Sequence, residues 1–156
     1  MRVLFVCTGN TCRSAMAESI ARAVARERGL GDVEIASAGT AAWEGAPASD
    51  GALLVGLERG CDLSAHRARS LSRELIDAHD LILVMGPHHL ERVEALGGRG
   101  KAYLLTGYGS RGAIDRPIGD PFGGDLQSYR ETYEELDREI RRAFDRLAAE
   151  QSPGVS

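Results

Sequence analysis

Three features of the sequence predict an α/β fold: a single-domain three-layer sandwich with a central four-stranded parallel sheet and helices on both faces. Short β-branched and aromatic runs alternate with helix-periodic segments, the pattern of strand–helix–strand units with right-handed crossovers. The runs are apolar at successive positions, as strands covered on both faces require. The 156 residues, 43% of them hydrophobic, suffice for one core, so residues 1–150 are read as one domain followed by a frayed tail over 151–156.

The elements follow in order. Arg2 to Val6 (RVLFV) is the first strand and stops at Cys7. After a loop from Thr8 to Arg13, the stretch Ser14 to Arg28 carries Ala, Met and Ile at helical spacing, and Gly29 and Gly31 suit its stop. Val33 to Ser37 is the second strand, and Gly39, Gly45 and Pro47 mark the loop leading to a helix from Ser49 to Arg59. His66 to Ser70 is a basic loop, Asp80 to Met85 (DLILVM) a central strand, Pro87 to Ala95 a helix and Lys101 to Leu105 the fourth strand. A Gly- and Pro-rich loop from Tyr108 to Gly124 precedes a long amphipathic helix from Asp125 to Ala149. In such sheets the ligand sits beyond the carboxyl ends of the strands, where the first loop lies.

Composition narrows the function. A formal net charge of −4 lacks the positive field of a nucleic-acid binder. No run approaches the ~20 apolar residues of a membrane span, and the N-terminal run passes directly into a glycine loop, unlike a signal peptide. Cys7, Cys12 and Cys61 are an odd, sparse set that fits a reducing cytoplasm better than a disulfide framework. A monomer is assumed.

The segment Cys7-Thr8-Gly9-Asn10-Thr11-Cys12-Arg13-Ser14 carries the chemistry. A loop of small residues between a strand and a helix can turn its N–H groups inward as an anion nest, with the helix dipole behind it. Arg13 offers a planar fork matched to two phosphate oxygens, and such positive surroundings favour the thiolate form of a cysteine. Cys7 is therefore the candidate nucleophile. Gly9 is expected to supply a positive φ, Asn10 tolerates a left-handed conformation, and the Ser14 hydroxyl can reach the sulfur. Thr8, Thr11 and Cys12 complete the phosphate-binding loop. A nucleotide loop is excluded, because the GxxxxGK[ST] lysine and the GxGxxG pattern are missing. Thiolate attack on phosphorus gives a phosphocysteine, and the leaving group then needs a proton. Asp120, in the run Ile118-Gly119-Asp120-Pro121-Phe122-Gly123-Gly124, can serve as acid and then as base for water. By itself Asp-Pro is an ordinary turn; only its pairing with Cys7 and Arg13 marks it.

At these residues the chain resembles the low-molecular-weight protein tyrosine phosphatase family, over Met1 to about Ala149. VLFVCTGNTCRSAMAE matches the opening strand, phosphate loop and first helix; Ser37-Ala38-Gly39-Thr40 and His66-Arg67-Ala68-Arg69-Ser70-Leu71 match later landmarks. The resemblance implies Cys7, Arg13 and Asp120 as catalytic residues and Asn10 and Ser14 as supports. Within the family, CTGNTCRS and DPFGG before a Tyr-containing acidic helix are most similar to the bacterial protein-arginine phosphatases. Tyrosine-specific members usually carry a larger aliphatic residue at the position of Thr11, often Tyr at that of Phe122, and often an acidic residue at that of Gly86. The resemblance thus implies hydrolysis of protein phosphoarginine, with Thr11 as selector, and phosphotyrosine as the alternative. It also makes a reversible Cys7–Cys12 disulfide a plausible redox switch. Thiol-coupled arsenate reduction would need two further cysteines downstream, and only Cys61 follows Cys12.

Phe122 is expected to flank the substrate side chain, and Trp43 to wall the cleft. His66 is given a structural hydrogen bond, since no second ligand lies at metal spacing. His88 and His89 read as exposed, and Tyr129 and Tyr133 as packing residues on one helix face. Phosphorylated proteins are the expected partners; no metal and no organic cofactor is implied.

Overall fold

The computed structural model describes residues 1–151 and contains one parallel sheet ordered β2-β1-β3-β4. Its strands are β1 (Arg2–Cys7), β2 (Glu34–Gly39), β3 (Leu81–Val84) and β4 (Ala102–Leu104). The helices are α1 (Arg13–Glu27), α2 (Asp50–Glu58), α3 (Arg73–Asp77), α4 (Pro87–Val93), α5 (Leu105–Gly109) and α6 (Leu126–Glu150). The three-layer expectation holds. Alternate residues of β1 feed two cores: Val3, Phe5 and Cys7 pack with α1, α2, α5 and α6, whereas Leu4 and Val6 pack with Ile76 of α3 and Val93 of α4. Both faces of the central strands are therefore dry, and each fully buried Leu, Ile or Phe contributes about 1.5–3 kcal/mol.

The departures from the sequence reading are local. α3 and α5 are single-turn helices that periodicity cannot register; α3 forms because Ser72 caps it, its hydroxyl accepting from Leu75 N at 3.2 Å. α5 takes Leu105 from the expected fourth strand and Tyr108 from the expected loop. α4 ends two residues early, where a π turn, Glu94–Gly98, is closed by Gly97 at φ 105°. The cap of α2 is Ser49 and that of α6 is Asp125, residues expected just inside those helices. Of the tail expected over 151–156, Gln151 caps α6 and residues 152–156 lie outside the described residues. Among the described residues no helix is long and apolar enough to cross a membrane.

From β1 the chain first moves outward to β2 and then returns across β1 to β3. The order reverses beside the carboxyl end of β1, the place where open α/β sheets bind ligands. Cys7 is the last residue of that strand and is paired in register with Gly39.

Candidate active site

A cavity of about 200 Å³ opens at this switch point, lined by Cys7, Thr8, Gly9, Thr11, Cys12, Arg13, Asp120 and Phe122. Residues over a hundred positions apart thus share one wall. Three of the residues expected at the site, Asn10, Ser14 and Trp43, do not line it. Asn10 is fully buried behind the loop, and Trp43 is 84% exposed on the 40–48 loop, which bonds back to the 66–70 segment through Gly45 N to Ala68 O (2.8 Å) and Ala68 N to Ala46 O (2.7 Å). Those ties hold the Trp43 loop to its neighbour, so the expected cleft wall is not formed by the indole. Phe122, 73% exposed, stands at the rim beside Asp120.

The loop is shaped from behind. Asn10 carries the positive φ, 58°, and Gly9 does not, because the asparagine side chain fixes the turn with three hydrogen bonds, two donated and one accepted. Asn10 Nδ2 donates to Ser14 Oγ at 2.8 Å and to Ser37 Oγ at 2.9 Å, and Asn10 Oδ1 accepts from Arg69 N at 3.0 Å. Its backbone oxygen is 2.6 Å from His66 Nε2, which gives His66 the structural bond expected of it. Ser14 Oγ accepts from Asn10 and lies 2.9 Å from Cys7 Sγ, closer than its 3.5 Å contact with Ala38 O, so its hydroxyl is placed to donate to the sulfur when that sulfur is a thiolate. Ser14 N adds a second donor at 3.4 Å from the same sulfur. Both groups, with the positive end of α1 behind them, face Cys7 Sγ. Apart from Ser14 N, which reaches the sulfur, the leading amides of that helix take no side-chain cap and can meet an anion.

Arg13 is buried, and Asp120 is brought to it by the 118–124 loop. Ile118 anchors that loop to β3 through its N–H to Met85 O at 2.8 Å, and the Ile118 carbonyl accepts from Arg13 Nη1 at 3.0 Å. Arg13 Nη2 then lies 3.5 Å from Asp120 Oδ2, while Asp120 Oδ1 accepts from Phe122 N at 3.0 Å in an Asx turn. The guanidinium is held flat between two partners, and its buried Nε–H has no partner in the protein. An orphan buried donor is costly unless a ligand fills it.

His89 was not legible as a site residue. It is completely buried, the reverse of the exposure expected for it, and its Nε2 is 2.8 Å from Thr8 Oγ1. Burial pushes its pKa down to about 4; His88 and Arg13 add repulsion, and Asp120 opposes them. At neutral pH His89 is thus an uncharged strut under the first turn of the loop. Among the other residues singled out, Cys12 Sγ donates to Ser49 Oγ at 3.2 Å and lies 3.5 Å from Tyr129 Oη. Tyr129 and Tyr133 are buried, and Tyr133 Oη donates to Cys61 Sγ at 3.3 Å, away from the Cys7 cavity. Cys7, Cys12 and Cys61 are free thiols.

A family model described as low molecular weight phosphotyrosine protein phosphatase matches residues 2–152. The chain belongs to this family. It is an α/β phosphatase of the kind that uses a side-chain nucleophile, and the family acts on phosphorylated proteins. The protein-arginine-phosphatase of Geobacillus stearothermophilus is 39% identical over 150 residues, covering 96% of this chain and 98% of that one. The low molecular weight protein-tyrosine-phosphatase PtpB of Staphylococcus haemolyticus is 40% identical over 138 residues, covering 87% and 92%. Among solved structures, a YwlE arginine phosphatase with a phosphorylated active site serine superimposes with a TM-score of 0.91 at 33% identity, covering 97% of this chain and 98% of that one.

Proposed function

We propose that the enzyme hydrolyses phosphoarginine in proteins through a phosphocysteine intermediate, with Cys7 as nucleophile, Arg13 as phosphate clamp and Asp120 as proton carrier. The phosphoryl oxygens take the inward N–H groups of the 8–13 loop and the Arg13 fork, whose Nε–H gains the partner it lacks. Cys7 Sγ attacks phosphorus in line, the P–N bond breaks, and Asp120 protonates the departing guanidine nitrogen. Water, deprotonated by the same carboxylate, then attacks the phosphocysteine and releases phosphate. Asp120, a half-exposed side chain at the cavity mouth, has the access that both proton transfers require.

Thr11 is the observation that favours phosphoarginine over phosphotyrosine. Its side chain is compact and polar, it lines the cavity, and it leaves room for a planar guanidinium and for the attacking water. Phe122 at the rim suits either planar substrate. Likeness to the Geobacillus protein-arginine-phosphatase supports the first reading, and likeness to the Staphylococcus protein-tyrosine-phosphatase supports the second. The deciding experiment compares kcat/KM for phosphoarginine and phosphotyrosine peptides in the wild type and in Thr11→Ile. The wild type is expected to favour phosphoarginine, and Thr11→Ile to move the ratio at least about tenfold toward phosphotyrosine. The same preference in both proteins would remove Thr11 as the selector.

The reading includes a monomer in a reducing cytoplasm. A nucleophilic thiol needs a reducing compartment to stay active. Oxidation of Cys7 to the sulfenic acid by a peroxide, which is reduced to water or an alcohol, followed by condensation with the Cys12 thiol and loss of water, would hold the enzyme in a recoverable form.

A further inference from the structure

A second cavity, about 570 Å³ and so larger than the one over Cys7, lies between α1, the edge strand β2 and the 60–69 loop. Four guanidinium groups line it, Arg22 and Arg26 from α1 and Arg67 and Arg69 from the loop, against two carboxylates, Glu18 and Asp62. The carboxylates are already engaged. Glu18 Oε2 pairs with Arg22 Nη2 at 2.8 Å and Glu18 Oε1 accepts from Ser37 Oγ at 2.6 Å, while Asp62 Oδ1 accepts from Ser64 N at 2.9 Å in its own loop. Arg26, Arg67 and Arg69 form no ion pair among the described residues. Arg67 Nη1 donates to the carbonyls of Ser64 (3.1 Å) and His66 (2.7 Å), and Arg69 Nε donates to Ser37 O at 3.1 Å. A local excess of positive charge in a concave wall, on a chain whose net charge is −4, concentrates potential where an anion can enter.

We propose that this cavity is a second anion site, for a small soluble oligophosphate, and that its occupancy weakens the support of the nucleophile. The volume falls within the roughly 300–1,000 Å³ of small-molecule sites, and guanidinium forks match phosphate oxygens. Among the described residues the lining is dominated by guanidinium groups, and no Phe, Tyr or Trp contributes to it, which suits a phosphate chain. The route to Cys7 is a chain of hydrogen bonds that begins in the cavity wall. Glu18 Oε1 accepts from Ser37 Oγ; Ser37 Oγ accepts from Asn10 Nδ2 at 2.9 Å; Asn10 Nδ2 donates to Ser14 Oγ at 2.8 Å; and Ser14 Oγ is 2.9 Å from Cys7 Sγ. Arg69 contributes twice, through its N–H to Asn10 Oδ1 and its Nε to Ser37 O. An anion that draws Arg22 and Arg69 toward itself competes with Glu18 and Ser37 O for those groups, and slackens the chain that aims Ser14 at the sulfur.

The probe is inorganic tripolyphosphate. Titrated calorimetrically into wild-type enzyme whose active site is saturated with orthovanadate, it is expected to bind one equivalent, and Arg26→Ala/Arg67→Ala is expected to weaken that binding at least about tenfold. Arg26→Lys/Arg67→Lys, which keeps the charge, is expected to recover part of the loss. With an aryl phosphate substrate, tripolyphosphate should lower the kcat of the wild type about two- to fivefold and leave that of the Ala double variant unchanged. Aryl phosphate turnover by the double variant without effector verifies its fold. Loss of all binding in the presence of vanadate, or undiminished binding to the Ala double variant, overturns the site; binding with no effect on kcat overturns the coupling. Binding is read directly, so failure here is separable from failure of the phosphoarginine reading.

Discussion

Gly39→Ala tests how closely the phosphate loop is seated. A Cβ at Gly39 would lie 2.4 Å from Thr8 O, 3.0 Å from Asn10 N and 3.1 Å from Ala42 Cβ, whereas ordinary contact begins at 3.4 Å. Two of these obstacles are backbone atoms of the loop itself, so no side-chain rotation relieves the clash. The carbonyl of Thr8, the residue after the proposed nucleophile Cys7, must retreat by about 1 Å. A displacement of that size at reacting groups costs on the order of 10²-fold in rate, and overpacking a tight site costs about 1–3 kcal/mol in stability. For a chain of this length that corresponds to a melting temperature lower by about 2–12 °C. The assay is kcat for an aryl phosphate, measured well below the melting point of the variant, alongside a thermal melt. A variant with the turnover and the melting point of the wild type would show that the loop does not need this seat, and the account of how Cys7 is positioned would fail with it.

Asp120→Asn should lower kcat/KM, which reports formation of the phosphocysteine, by about 10²–10⁴ for phosphoarginine, whose leaving nitrogen must be protonated, and far less for dinitrophenyl phosphate, whose phenolate departs unaided; equal losses of kcat/KM for both substrates would deny Asp120 the acid role. His89 is held neutral at about pKa 4 in the fold, whereas the unfolded chain binds that proton below about pH 6.5. Its contribution is therefore fully present above pH 6.5 and is lost as pH falls toward 4, by on the order of 2–3 kcal/mol. His89→Gln should flatten the dependence of melting temperature on pH over that window, and an unchanged slope would refute the assignment. Peroxide should inactivate the wild type in a form that dithiothreitol restores, whereas Cys12→Ser should lose activity that the reductant does not recover; identical recovery in both would leave no protective role for Cys12.

Legibility followed range in the chain. The strand from Arg2, the small-residue loop and the helix behind it are dictated by local pattern, and they place Cys7, Arg13 and Ser14 together because the structure preserves the six-residue spacing between Cys7 and Arg13. The dry strand β3 was equally readable, since four successive apolar residues have no exposed face on which to put a polar one. Short elements were not. The five residues of α3 and of α5 offer no period to detect; α3 forms on its Ser72 cap and α5 on the burial of Leu105, Thr106 and Tyr108. In the loop, the positive φ went to Asn10 in place of Gly9 because side-chain bonds to Ser37 and Arg69, residues 27 and 59 positions away, outweigh glycine's freedom.

The groups proposed to react, a cysteine at a strand end, an arginine at the following helix start and an aspartate before a proline, are set by local sequence. Only the tertiary structure decided their company. It buried His89 against Thr8, 81 residues away, seated Gly39 under the loop, and carried Asp120 to Arg13 on the Ile118 anchor. The physical reason is that backbone propensity acts within a few residues. Burial and close approach depend on which surfaces the sheet order brings together, and a side chain such as His89 acquires its neutrality and its task only from the surface that covers it.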